Sequence, residues 1–434
     1  MYLLLLVNQH TKFYYKLHSL IVSVTRISVQ ELLARGCPST SAPSILGSLQ
    51  HLSDMSNGKA SNTKWLYDSP INSDVEAKLR QFLVEPNNAN RILGIQVCAY
   101  KDGQVIIDTA AGILGKDDPR PVQPDSLFPV FSVTKGVTAG MVHWLADKGK
   151  LKLDENVANI WPEFGANGKD KIKVNHVLNH TSGLHNALAG IISATDNEVF
   201  CDFDECLKRI AMVAPETEPG RVQLYHYMSY GWLCGGIIEH ASGKKFQDIL
   251  EEAIVRPLNV EGELYIGIPS GVEARLATLT LDTSDLSKLA PKPDTSMSSS
   301  ISTTLPSSFT FEMIYGLIPL SNTFNVCRAI LPAANGHFSA RAVARYYAAL
   351  VDGGVVPPPH SSKTDDTIDE FNTKIFTQPK IKIHDAFLGS GDYKDLIIPN
   401  GRFGLGFRRV QGSDGSIIGF GHDRFVLDEL YYML

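Results

Sequence analysis

Ser132 and Lys135 stand three residues apart in the tetrapeptide Ser132-Val133-Thr134-Lys135, and they are the pair in this chain best suited to covalent chemistry. Side chains three apart on a helix share a face, so Lys135 can reach back to the Ser132 oxygen and take its proton. Positive partial charge at a helix N-terminus favours the neutral amine and lowers a lysine's pKa. A serine beside a neutral amine is an activated nucleophile. The same spacing recurs at Ser56/Lys59, Ser61/Lys64 and Ser242/Lys245. The first two lie in a polar Ser/Asn/Gly-rich stretch without an apolar period and read as linker. The third closes a helix at Ser242-Gly243. A buried serine that merely starts a core helix would share the local sequence of Ser132, so context has to decide.

That context is a strand expected over 126–131, followed by an apolar stripe at Val133, Val137, Met141 and Leu145, the i+4 spacing of a buried helix. Asp147-Lys148-Gly149-Lys150 reads as its stop. Upstream, Val75, Leu79, Phe82 and Leu83 predict a helix over 74–83. Segments 92–100 and 105–111 around Asp102-Gly103 predict a β-hairpin. Downstream, short helices are expected at 174–178, 230–241, 246–254 and 339–350, and strands at 403–410 and 416–420. Residues 282–309 read as a Ser/Thr/Pro-rich inserted loop, and 355–396 as irregular. Strands, then helices, then strands predict an α+β domain whose antiparallel sheet is built from both chain ends, with a large helical region between them.

With 434 residues, 44% hydrophobic and 20% charged, the chain has an ordinary globular balance. A net charge of -6 gives no basic surface for nucleic acid. Six scattered cysteines fit free thiols in a reducing compartment, which points to an intracellular setting, cytoplasmic or organellar. Cys201 and Cys206 lack the second pair of a zinc site. The apolar run Tyr2–Val7 is too short to span a bilayer. Residues 1–65 are expected to form an N-terminal extension or linker, disordered on composition over 40–63, and 66–434 the folded domain.

Together, these residues resemble the serine β-lactamase-like family, which includes class C β-lactamases, penicillin-binding peptidases and related esterases and lactonases. Asp125-Ser126-Leu127-Phe128 leading into Ser132-Val133-Thr134-Lys135 is similar to the family's first motif. Asn179-His180-Thr181-Ser182-Gly183-Leu184 resembles its His-Thr-Ser-Gly-Leu turn, and Pro219-Gly220 followed by Tyr225-His226-Tyr227 and Tyr230-Gly231 its tyrosine motif. Gly336-His337-Phe338-Ser339 and Phe403-Gly404-Leu405-Gly406-Phe407 also fit, so the resemblance covers about 70–422.

The resemblance implies a β-lactamase/transpeptidase-like fold and acyl-enzyme chemistry on a small-molecule or peptide-like ester, lactone or amide, with neither metal nor organic cofactor. Ser132 would be the acylated nucleophile, Lys135 its base, and Tyr225 the proton shuttle to the leaving group. Tyr227 stands where many relatives carry asparagine and would bind substrate, as would His422 of the third motif. The Ser132 N–H would supply half of an oxyanion hole.

The third motif departs from the family. Gly421-His422-Asp423-Arg424-Phe425 has Asp423 and Arg424 where relatives have a hydroxyl and a glycine, which narrows the pocket. Asp423 should repel an anionic substrate, and the second oxyanion N–H would fall near Phe425. The chain then ends at Leu434, twelve residues past His422, where the resemblance implies two further strands and a helix; a truncated form is the expectation. His176 and His180 have the i, i+4 spacing of zinc peptidases, but Val177 replaces the glutamate, so structural roles are expected for both. The rival to a hydrolase is a binding or scaffolding module that keeps the fold and has lost the chemistry; substituting Ser132 by Ala separates the two.

Overall fold

The computed structural model describes residues 2–7, 65–85, 92–191, 198–280, 305–306, 308–309, 311–358, 374–412 and 414–422. Strand β1 (Tyr2–Val7) pairs antiparallel with β2 (Gly94–Lys101), in register from Tyr2 opposite Tyr100 to Val7 opposite Ile95. Helix α1 (Asp74–Val84) starts where the Ser73 side chain accepts a hydrogen bond from the Glu76 N–H. β2 turns into β3 (Gln104–Gly112) through Asp102 and Gly103. Both have positive φ, 51° and 75°, as a two-residue hairpin turn requires.

The hairpin is buried on both faces. Ile95, Val97, Ala99 and Ile107 pack with Leu79, Phe82 and Leu83 of α1. Cys98, Tyr100 and Ala110 face the main helical core. The buried Glu76 accepts hydrogen bonds from the Asp108 N–H, at 3.1 Å, and from the Thr109 hydroxyl.

Strand β4 (Phe128–Pro129) leads into α2 (Val133–Asp147), every residue of which is buried from Val133 to His143. Helices α3 (Val174–Leu178), α4 (Phe203–Met212) and α5 (Ser229–Ser242) follow, then β5 (Leu264–Ile266), β6 (Gly336–Phe338) and α6 (Ala340–Val351). β6 lies between β4 and β5 in a small antiparallel sheet. Helix α7 (Lys380–Leu388) precedes the antiparallel pair β7 (Arg408–Gln411) and β8 (Ile417–Gly421).

Two close approaches fix α2. A Cβ on Gly136 would lie 2.3 Å from the Tyr347 hydroxyl, and one on Gly140 2.1 Å from the Tyr346 hydroxyl. These glycines therefore admit α6, and the Tyr346 hydroxyl donates to the Gly136 carbonyl at 2.8 Å. Arg341, at the start of α6, holds Asp108 of β3 through both carboxylate oxygens, at 2.8 and 2.5 Å.

The expected antiparallel α+β architecture is present. The strands from the two chain ends form separate ladders among the described residues. Other differences have local causes. The strand expected over 126–131 shrinks to Phe128–Pro129, because Pro129 has no N–H to donate and Phe131 turns out of the sheet with φ of 46°. Segment 355–396, read as irregular, contains α7 and a 3-10 turn at Gly391–Leu396. The strand expected over 403–410 begins only at Arg408, since Gly406 has φ of 92° and presses on Ala139 of α2. Residues 1–65, expected as an extension outside the fold, contribute β1 to its sheet; 8–64 lie outside the described residues.

Candidate active site

The turn into α2 exposes one residue. Ser132 alone between residues 126 and 143 is not fully buried. It occupies the N-cap in the αR region, and its hydroxyl makes no capping bond. Phe131, at φ of 46°, is a bulky residue in left-handed backbone, a conformation that costs about 1–3 kcal/mol and marks a position fixed by its surroundings. Those surroundings are the Thr134 hydroxyl, which donates to the Phe131 carbonyl and accepts from the Gly336 N–H at 2.9 Å. The Val130 N–H also donates to Gly336 O, at 2.9 Å.

Lys135 is completely buried, and its Nζ lies 3.1 Å from Ser132 Oγ, 2.7 Å from Tyr227 O and 2.9 Å from Ala333 O. No carboxylate pairs with it among the described residues. Burial holds its pKa well below the usual lysine value. A neutral amine has two N–H bonds and one lone pair. With the two carbonyls accepting those N–H bonds, the lone pair faces Ser132 Oγ and can receive the hydroxyl proton.

Tyr225 lies against this lysine, its ring centroid 4.9 Å from Nζ. The ring is stacked on Phe403 at 5.7 Å and stands 6.1 Å from the His422 ring. His180 holds the segment that carries it. In left-handed backbone at φ of 64°, its carbonyl accepts from the Leu224 N–H at 3.0 Å, and its Nδ1 from the His226 N–H at 3.2 Å. Its ring lies 4.9 Å from that of Tyr225. His226 is tied to the same turn. Its Nδ1 sits 2.6 Å from Leu224 O and must be the protonated nitrogen, so Nε2 accepts from the Ser182 hydroxyl at 2.7 Å. Burial pushes the His226 pKa down to about 3, which keeps the ring neutral.

The residues singled out in the sequence thus converge. Ser132, Lys135, Tyr225 and His422 form one cluster, and Tyr227 joins it through its carbonyl. Asp423, Arg424 and Phe425 lie outside the described residues. His176 takes no part: its Nδ1 accepts from the Lys173 N–H at 3.2 Å, a helix-start contact. No group of three or more metal-binding side chains occurs among the described residues, and no described helix is long and apolar enough to cross a membrane.

Three contributors escaped the sequence reading. The Ala333 carbonyl carries no side-chain signal. His226 showed only as a residue between two tyrosines. The third is the end of the inserted loop, where Phe309 places its ring 5.4 Å from that of Tyr227.

Residues 77–420 match the family model described as Beta-lactamase. Among curated proteins, "Esterase/beta-lactamase LipL" of Mycobacterium tuberculosis is 32% identical over 268 residues, covering 61% of this chain and 60% of that protein. "Esterase EstB" of Burkholderia gladioli is 28% identical, over 43% of this chain and 51% of its own. The chain therefore spans between half and three-fifths of the length of these relatives. Among solved structures, a penicillin-binding protein homolog from Caulobacter crescentus superposes with a TM-score of 0.60 at 25% identity, covering 83% of this chain and 88% of that one.

Proposed function

The chain belongs to the beta-lactamase family, and from that premise we propose that it is a serine hydrolase cleaving an ester or amide bond through an acyl-enzyme on Ser132. The Lys135 lone pair takes the Ser132 proton as Oγ bonds to the substrate's carbonyl carbon. The oxyanion that forms is met by the Ser132 N–H. The Tyr225 hydroxyl passes a proton to the leaving group as the bond to it breaks, and is recharged from the Lys135 ammonium. Water then attacks the acyl-enzyme, and the proton returns to Ser132 Oγ. Tyr227 and His422 are assigned to substrate binding. No step calls for a metal or an organic cofactor.

The observation that carries this reading is the Lys135 amine, fully buried, fixed by two carbonyls and 3.1 Å from a serine hydroxyl that reaches the surface. An ester is the preferred substrate, since both curated relatives named above are described as esterases. We assign the chemistry to a domain of residues 66–434, with β1 of residues 1–65 added to its sheet. A reducing compartment, cytoplasmic or organellar, is the proposed setting, supported by the free thiols of Cys98, Cys201, Cys206, Cys234 and Cys327.

Fluorophosphonate labelling of the purified chain tests the assignment. Labelling on Ser132 that disappears in Ser132→Ala and falls sharply in Lys135→Ala is expected. Folded wild-type protein that takes no label would refute it and favour a binding module.

A further inference from the structure

The inserted segment over 282–309 reads from sequence as a loop without chemistry, yet its end is docked beside the candidate active site. The Ser308 hydroxyl donates to Asn186 Oδ1. Asn186 is held in turn, its Nδ2 donating to Glu216 Oε2 at 2.8 Å. These bonds anchor the residue before Phe309, whose ring lies against that of Tyr227, with centroids 5.4 Å apart and planes inclined at 60°. Tyr227 is 6% exposed, whereas Phe309 is only partly buried. The wall therefore begins at the lysine that contacts Ser132, through the Tyr227 carbonyl, and ends on the partly buried Phe309 ring.

The two tyrosine rings have different neighbours. Tyr225 is packed among His180, Phe403 and His422, and on the reading above it delivers the leaving group's proton. The Tyr227 ring makes none of those contacts and packs instead against Phe309.

We infer that Tyr227 and Phe309, the latter anchored through Ser308, form an aromatic acyl pocket that selects esters with a bulky apolar acyl group, such as an aryl or branched chain, over acetate. This rests on the acyl-enzyme reading and deepens it. A few buried methylenes or a ring are worth roughly 10–200-fold in a hydrophobic pocket, so the preference should be of that order.

The test is kcat/KM for p-nitrophenyl acetate, butyrate and phenylacetate, which share a leaving group, in wild type, Phe309→Ala, Phe309→Leu and Ser308→Ala. Phe309→Ala is expected to lose about tenfold or more on phenylacetate and little on acetate. Phe309→Leu should keep most of the preference, and Ser308→Ala should weaken it. Fluorophosphonate labelling of Ser132 in each variant reports separately whether the nucleophile is still assembled. Equal losses on every ester, or faster turnover of the bulky esters once Phe309 is removed, would overturn the inference while leaving the hydrolase assignment intact. Wild-type protein that neither labels nor turns over any ester would refute the underlying assignment, and this inference with it.

Discussion

Lys135→Met converts the buried amine into a side chain of similar length with no proton to exchange. Two effects of opposite sign follow. The Tyr227 and Ala333 carbonyls lose their donor. An unsatisfied buried acceptor costs about 1–3 kcal/mol, so the pair costs about 2–6 kcal/mol. Against this, the wild type must expel a proton from Lys135 on folding, because burial lowers its pKa in the folded state. Between that lowered value and the ordinary lysine value the unfolded chain binds more protons than the folded one. Wild-type stability therefore rises with pH across this window, and falls as pH drops through it. The slope approaches about 1.4 kcal/mol per pH unit for one proton. Lys135→Met lacks this term, and the other titrating groups cancel in the comparison. Urea unfolding of both proteins at about pH 6, 7, 8 and 9 reads the difference. The stability advantage of the wild type should grow with pH across this window, whereas its kcat/KM, which follows the folded-state pKa, should not rise in step with it. A constant difference from about pH 6 to 9 would mean that folded Lys135 keeps its proton throughout, and the neutral-base argument would be wrong.

Two further outcomes follow from the geometry. Tyr225→Phe keeps the stack on Phe403 but removes the hydroxyl, so kcat for ester hydrolysis should fall by about 10²–10⁴ with little change in unfolding midpoint; a loss under threefold would remove Tyr225 from proton transfer. Gly140→Ala places a methyl 2.1 Å from the Tyr346 hydroxyl and should destabilise the protein by about 1–3 kcal/mol. Adding Tyr346→Phe should recover part of that loss in urea unfolding, and strictly additive losses would show that the contact is not the cause.

The parts of the site that lie close in sequence were legible. The period of Val133, Val137, Met141 and Leu145 places α2, and a helix obliges residues 132 and 135 to share a face. The tyrosine segment was visible only as a resemblance, because its position depends on His180, a left-handed residue with no marker of its own. Contacts made by main-chain atoms stayed hidden: any residue at 333 offers a carbonyl, so Ala333 gave no hint that it holds Lys135. Helix α7 was missed because only Ile383, Ala386 and Phe387 are buried in it, too few for a clear period. The reverse error at 403–407 arose because alternating Phe and Gly imitate a strand, whereas the glycines there serve close packing against α2 and its neighbours.

The three oxygen atoms around Lys135 Nζ come from positions 132, 227 and 333, and the lysine bonds span 92 residues to one carbonyl and 198 to the other. Contacts so distant along a chain form late, since long loops must close first. In any partly folded species the amine stays in water, where an ordinary lysine is charged at neutral pH and useless as a base. Ser132 is then an inert alcohol. On the proposed chemistry, reactivity thus requires both closures, and an acyl group on Ser132 would be a chemical timestamp of native structure. A pulse of fluorophosphonate during refolding would count native molecules alone, separately from those that have only collapsed.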